Sequence, residues 1–393
     1  MVELADIVRA AGPAYVATHA GGLLPSQRRA LTDIGQCRTA ALGGSLYRCD
    51  DCGALDYRYH SCRNRHCPKC QADRAQQWLE RVRARLLPCE YYLLTFTLPA
   101  QLRAVARRQQ RPVYAALLRE AAASVQMVTE DRAWVGGTPG ILAVLHTWSR
   151  TLDYHPHVHL LVTAGGLTAD GAAWIRPAHP RFLLPGYVLS PIFRAKMRDA
   201  LRRAGVAAGV AAGVDARVWQ RRWTVHVEHI GSGEHATLYL ARYVYRVALT
   251  NGRLERFTGG RVTFQYTHAR TQTTRSLTVP VEDFLTRFLH HILPRGFTKV
   301  RWYGLLSAGR RADRERARTL LAPRHPPIQD PSPSPPPRAA EPSPPAGASP
   351  PDDPTPAVAQ TTTIGYSGCA HTHWVLVQRY PPSRAPPSCP RAA

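Results

Sequence analysis

Six of the nine cysteines in this chain fall between Cys37 and Cys70, and that clustering restricts the fold more than any other feature. The stretch "CDDCGALDYRYHSCRNRHCPKC" holds Cys49-x-x-Cys52, fourteen residues, then Cys67-x-x-Cys70. Two C-x-x-C turns at this separation are the spacing of a zinc ribbon or related knuckle, which presents four thiolates to one tetrahedral ion. So short a segment has little apolar core, and a bound zinc would supply much of its folding energy. The spacing therefore predicts structural zinc on Cys49, Cys52, Cys67 and Cys70. Cys37, Cys62, His60 and His66 lie in or near the same stretch. They either hold a second zinc, through Cys37, Cys62 and His66, or line a small core. Arg63, Arg65 and Lys69 would suit a DNA-facing surface.

The opening "MVELADIVRAAG" lacks the basic, apolar and cleavage regions of a signal peptide. No apolar run approaches the ~18 residues needed to cross a bilayer. We therefore expect a soluble chain of the bacterial cytoplasm with no membrane partner, and cysteines in such a compartment argue for metal before disulfide. The chain has 51 Lys plus Arg against 27 Asp plus Glu, a net charge of +24 carried mostly by arginine. An excess of this sign favours a polyanion, and the planar guanidinium fork grips phosphate at two points. GC-rich coding also enriches arginine, which weakens the charge argument.

Residues 71–87 read as a helix with Trp78, Val82 and Leu86 on one stripe. Strands are predicted over 91–99, 140–148, 157–164 and 223–230, with a strand pair at 261–267 and 274–280. Helices are predicted over 110–128, 234–249 and from 281 to Pro294. Strands and helices mix without regular alternation, so the fold class is α+β, an antiparallel sheet with helices on one face. Fifteen of the thirty-four residues from 323 to 356 are proline, a composition that cannot pack a core. The expected organisation is a zinc- and DNA-binding module with a connecting helix (1–87), a catalytic domain (88–307), and a basic, then proline-rich, mostly disordered tail (308–393).

"HPHVH" (155–159) carries three histidines in five positions. On a strand, His157 and His159 share a face while Val158 points away. A lone His-x-His is more often a turn cap and a core residue than a ligand pair. Here His146 lies eleven positions upstream on the neighbouring predicted strand. If the two strands pair, the three imidazoles form a metal site with open positions for water or a phosphate oxygen. His155 belongs to the turn. Downstream, Tyr239 and Tyr243 sit at i and i+4 of a predicted helix and share a face. Such a pair is usually a packing stripe, but beside a phosphate-binding metal the two become candidate nucleophiles.

"HPHVH" with an upstream histidine, "YLARY" and "CRNRHCPKCQ" together resemble the IS91 family of rolling-circle insertion-sequence transposases. "ALGGSLYRCDDCG", "LLTFTLP" and "FLHHILPRGFTKVRWYGLL" also look like that family, and the resemblance covers roughly 5–307. It implies an HUH single-strand endonuclease with an N-terminal zinc-binding domain, His157 and His159 as the HUH pair, and Tyr239 and Tyr243 as the tyrosine pair. His146 as third ligand is a geometric inference. Such an enzyme would use Mg²⁺ or Mn²⁺ to align a phosphate in single-stranded or hairpin transposon ends. One tyrosine would attack to leave a 5′-phosphotyrosine, and the zinc would be structural. No GxxxxGK[ST] loop is present, so a host helicase or replication would separate the strands. "GCAHTHW", with Cys369, His371 and His373, does not match the cysteine cluster often found near the family's C-terminus.

Two alternatives compete. An Asp-Asp-Glu transposase needs an acidic constellation that does not stand out here, and "HVEH" (226–229) reads as packing. A zinc-ribbon DNA-binding regulator without catalysis explains the cysteines and charge but leaves the histidines and tyrosines unexplained.

Overall fold

The structure, a computed structural model, describes residues 2–177, 183–206, 214–232, 248–268, 271–322 and 373–382, without the side chains of 72–77. The N-terminal part runs α1 (Leu4–Thr18), α2 (Pro25–Gln36), β1 (Gly44–Cys49), β2 (Leu55–Tyr59) and α3 (Pro68–Arg83). There follow β3 (Glu90–Thr97), α4 (Arg103–Arg108), α5 (Gln110–Glu130), β4 (Gly140–Trp148), β5 (Tyr154–Thr163), and the short β6 (Gly166–Leu167) and β7 (Trp174–Ile175). Then come α6 (Gly186–Arg203), β8 (Val225–Ser232), β9 (Leu254–Thr258), β10 (Arg261–Thr267), β11 (Thr274–Pro280) and α7 (Val281–Leu289). The last described elements are β12 (Val300–Gly304), α8 (Arg311–Leu321) and β13 (Trp374–Tyr380). The class is α+β, as expected. Among the described residues no helix is long and apolar enough to cross a membrane.

The central sheet has five antiparallel strands in the order β12-β4-β5-β3-β8. Its inner strands are apolar on both faces, because both are covered. On one face Phe96, Val158, Leu160 and Val162 pack against Leu117, Ala121 and Val125 of α5 and Phe193 and Met197 of α6. On the other, Tyr91, Leu142, Val144 and Leu161 cluster with Val82 of α3 and Leu306. The period of two puts His146 on this second face with Leu142 and Val144, and His157 and His159 with Leu161.

A second core joins α1, α2 and α7 to the β9–β11 sheet through Leu4, Ile7, Ile34, Phe264, Phe284 and Phe288. Cys37, Cys67 and Cys70 are built into it. Polar contacts cross it: Tyr15 Oη lies 2.8 Å from Thr286 Oγ1, and buried Gln27 Nε2 donates to the Leu289 carbonyl at 2.9 Å.

Two helix bounds need correction. The connecting helix begins at Pro68, since proline at its first position loses no hydrogen bond. The helix from 281 ends at Leu289, before Pro294. Within the tail, expected to be mostly without structure, two elements are described: α8 packs Ala317 and Leu321 beside Leu87, Leu167 and Leu305, and β13 pairs with β1. Residues 323–372 lie outside the described residues.

Candidate metal centres

The four-thiol cluster is formed by Cys37, Cys62, Cys67 and Cys70, whose sulfurs lie within 4.8 Å of one another. Cys37 caps the C-terminus of α2, Cys67 the N-terminus of α3, and Cys70 stands in the first turn of α3. Sγ separations are 3.5 Å for Cys37–Cys70, 3.6 Å for Cys62–Cys70 and 3.7 Å for Cys37–Cys67. Four sulfurs about 2.3 Å from one zinc at tetrahedral corners would be about 3.8 Å apart. A disulfide needs about 2.05 Å. The spacing fits zinc and excludes a disulfide. Hydrogen bonding within the cluster, that of Cys62 foremost, lowers Cys37 to about 7, toward the thiolate a metal takes.

This grouping corrects the predicted ligand set. Cys67 and Cys70 are joined by Cys37 and Cys62, whereas Cys49 ends β1 and Cys52 sits on the β1–β2 turn, both outside the cluster. The reason is tertiary. Arg38 and Arg63 follow Cys37 and Cys62 in the left-handed region, at φ 56° and 53°, and turn the chain back sharply at each. The Arg38 N–H donates to the His60 carbonyl at 3.1 Å, drawing Cys62 toward Cys37. The alternative second set of Cys37, Cys62 and His66 is not assembled either. His66 Nε2 accepts from the Leu293 N–H at 3.3 Å, and burial holds the ring well below the usual imidazole range. His60 spans Ser45 Oγ at 2.9 Å and the Leu42 carbonyl at 3.1 Å. Arg65 donates to the Phe297 carbonyl at 2.5 Å, tying the module to the rest of the chain, and Lys69 pairs with Glu3 inside the module, so neither is a free outward-facing cation. Arg63 remains exposed.

His146, His157 and His159 converge as the strand pairing requires. His146 stands directly opposite His157 in the β4–β5 register, and His159 opposite Val144. Their ligand nitrogens lie within 4.8 Å of one another. Ring centroids are 5.5 Å apart for His146–His157 and 4.8 Å for each other pair. Neighbours orient the rings. His157 Nδ1–H donates to the His155 carbonyl at 2.7 Å, which leaves Nε2 as the acceptor. His159 Nδ1 lies 3.1 Å from Thr95 Oγ1 on β3. Trp148 stacks on His146 at 4.7 Å and 24°. Burial pushes His157 down to about 4 and His159 well below the usual range, so both are neutral at pH 7, the form a metal binds. His155 is part of β5, not of a turn; its Nδ1 accepts from Arg103 at 2.6 Å, outside the triad.

Tyr239 and Tyr243 lie outside the described residues. The end of their segment is anchored: Arg253 donates to the Ala248 carbonyl at 3.2 Å and to the Arg150 carbonyl, in the β4–β5 turn, at 2.7 Å. Sequence reasoning missed Arg253 and the other residues that brace this turn. Buried His291 donates from Nε2 to the Leu152 carbonyl at 3.0 Å and accepts at Nδ1 from Thr147 Oγ1 at 3.2 Å. Arg287 holds Asp153 at 2.6 Å. "FLHHIL" and "TLDY" carried no local cue that they would meet. In "HVEH", exposed His226 and Glu228 approach to 4.0 Å, and His229 pairs with Glu90 at 3.1 Å.

Comparison with known proteins agrees with both parts of the molecule. Residues 7–98 match the family model described as a transposase zinc-binding domain, and residues 140–314 the model described as a putative transposase. The chain is 38% identical over 322 residues to the putative transposase y4qJ of Sinorhizobium fredii, covering 77% of this chain and 80% of that protein. It is 31% identical over 299 residues to the transposase for insertion sequence element IS801 of Pseudomonas savastanoi pv. phaseolicola, covering 73% and 72%. No solved structure matches. A zinc-binding module joined to a sheet with clustered imidazoles is, on this evidence, the framework of a transposase. The chain belongs to the IS91 family of insertion-sequence transposases.

Proposed function

We propose that this transposase nicks and joins single-stranded or hairpin transposon ends through a 5′-phosphotyrosine. The observation that carries the reading is the His146, His157 and His159 triad, three imidazoles on one sheet face whose ligand nitrogens lie within 4.8 Å of one another. Three protein ligands leave coordination positions open, as a catalytic site needs. Imidazoles alone favour softer ions, so Mn²⁺ or Mg²⁺ would complete its shell with phosphate and water oxygens brought by the DNA. When bound, the ion polarises and aligns the scissile phosphate.

The chain's own residues do the rest. The Nδ1 contacts of His157 and His159 keep each Nε2 directed for coordination. Tyr239 or Tyr243 attacks phosphorus through its phenolic oxygen, the P–O3′ bond breaks, and the 3′-hydroxyl leaves with a proton. The second tyrosine takes the next strand, which allows transfer without a double-strand break. Support for this placement comes from Arg253, which fastens the residue following the tyrosine segment to the hairpin that bears the histidines. Arginines and the zinc module hold the backbone of the DNA, and a host helicase or replication opens the duplex.

The test is a nicking assay on single-stranded transposon ends, with covalent adducts resolved on a denaturing gel. Tyr239→Phe with Tyr243→Phe should abolish the adduct and spare metal binding. An adduct that survives in the double variant refutes the mechanism.

A further inference from the structure

One histidine of "HPHVH" has no part in the metal centre, yet it is built into the same sheet face. His155, His157 and His159 alternate with Pro156 and Val158 along β5, and the His155 ring centroid lies 5.3 Å from that of His157. The partner of His155 is Arg103, whose Nη2 donates to its Nδ1 at 2.6 Å. Arg103 opens α4, just after the turn that leaves β3. Leu102 and Ala106, on either side of it, are buried in the core that α5 shares with the sheet, and the Leu98 N–H donates to the Pro156 carbonyl at 3.0 Å. These contacts fix the start of α4 against β5, so that the Arg103 side chain reaches the row of imidazoles.

Arg103 is half-buried, and its charge is not answered within the described chain. Among the described residues no carboxylate pairs with it; Asp153, two positions before His155, is held by Arg287 at 2.6 Å. One guanidinium N–H goes to an imidazole nitrogen, and the Nε–H is buried without a hydrogen-bond partner. A cation in this state, partly stripped of water, favours an anion that brings two oxygens to its fork. Exposed Arg107 and Arg108, one turn further along α4, extend the same charge outward.

We propose that Arg103, oriented by His155, binds the phosphate next to the scissile one and so sets which linkage enters the metal centre. The inference rests on the reading that the His146, His157 and His159 triad receives the scissile phosphate. Two residues along a strand cover roughly 7 Å, which matches the separation of consecutive phosphates in an extended single strand. DNA whose scissile phosphate lies at His157 and His159 thus brings a neighbouring phosphate to the guanidinium beside His155. The planar fork takes two oxygens at once. His155 accepts one N–H without bringing negative charge, so it orients the fork and leaves its charge for the DNA. A carboxylate in its place would satisfy the arginine and repel the phosphate.

Single-stranded transposon ends carrying one methylphosphonate at a time, each removing one phosphate charge, test this. Binding is measured without metal on the full-length chain bearing Tyr239→Phe and Tyr243→Phe. The nick is mapped separately, with both tyrosines present and unmodified DNA. With Arg103 in place, neutralising a phosphate adjacent to the nick should weaken binding at least about tenfold. Arg103→Gln, which keeps a donor for His155, should bind the unmodified strand more weakly by the same factor and lose its sensitivity at that one position. Arg103→Lys, which keeps the charge but not the fork, should keep part of that sensitivity. His155→Ala should reduce it, and His155→Asn, which keeps an acceptor, should restore most of it; an unreduced response in His155→Ala overturns the inference even if Arg103→Gln fails to fold. If the protein nicks DNA but Arg103→Gln responds to every methylphosphonate as the parent does, or loses sensitivity only away from the nick, the inference falls while the nicking mechanism stands. If no nick forms, both fall.

Discussion

The four thiols of the N-terminal module come from a helix end, a loop and the first turn of a second helix, whereas the three imidazoles stand on two paired strands. The thiol set is closed: four ligands complete a tetrahedron, and three of the sulfurs sit inside the second core. The imidazole set is open, and the ladder beneath it is made of backbone hydrogen bonds and apolar packing that need no ion. The first centre should therefore hold the fold together, and the second should be held in place by the fold. The contrast is between a ligand set that fills a tetrahedron and one that leaves positions open.

The largest expected effect is that of Cys37→Ser. Structural zinc is worth on the order of 10 kcal/mol in isolated zinc-finger peptides, so loss of this ion should lower Tm by more than about 10 °C. Zinc analysis and thermal melting read it out, and a variant with wild-type Tm breaks the comparison. Next comes His157→Ala. It should slow nicking by on the order of a thousandfold, the rate equivalent of several kcal/mol, with Tm within a few degrees of wild type. DNA binding, dominated by phosphate contacts elsewhere, should persist. A large fall in Tm with this variant would make the histidines structural.

Thr95→Val sharpens the same comparison. It preserves shape but removes the hydroxyl 3.1 Å from His159 Nδ1. Loss of such an orienting partner should weaken metal affinity by about 10–100-fold, measured by Mn²⁺ titration of nicking. Thr95→Ser should restore most of it; equal affinity in Val and Ser variants removes Thr95 from the site. The smallest effect is expected for deletion of 323–356, which should leave nicking within about twofold of wild type, since this composition contributes no buried apolar surface. Truncation through β13, by contrast, should lower the stability of the zinc module by baring the edge of β1.

Much of the histidine centre was legible in the residues. A strand period of two places His157 and His159 on one face, and a short hairpin brings His146 opposite, so the site follows from local geometry. The alternating apolar runs likewise foretold β4, β10 and β11 at their observed limits. The cysteine centre was legible only as a composition. C-x-x-C spacing shows that thiols are paired along the chain, but which pairs share an ion depends on how helices and loops fold back. Here the left-handed turns after Cys37 and Cys62 decide it. The braces Arg253, Arg287 and His291 were hidden for the same reason: each reaches a partner more than a hundred residues away. Sequence alone determined four strands of the central sheet, the β10–β11 pair, the meeting of three imidazoles and the presence of a thiol cluster, because those depend on neighbours along the chain or across one hairpin. Tertiary structure alone decided which four sulfurs meet and that a strand from the far C-terminus completes the first sheet, because those contacts join segments with no local pattern in common.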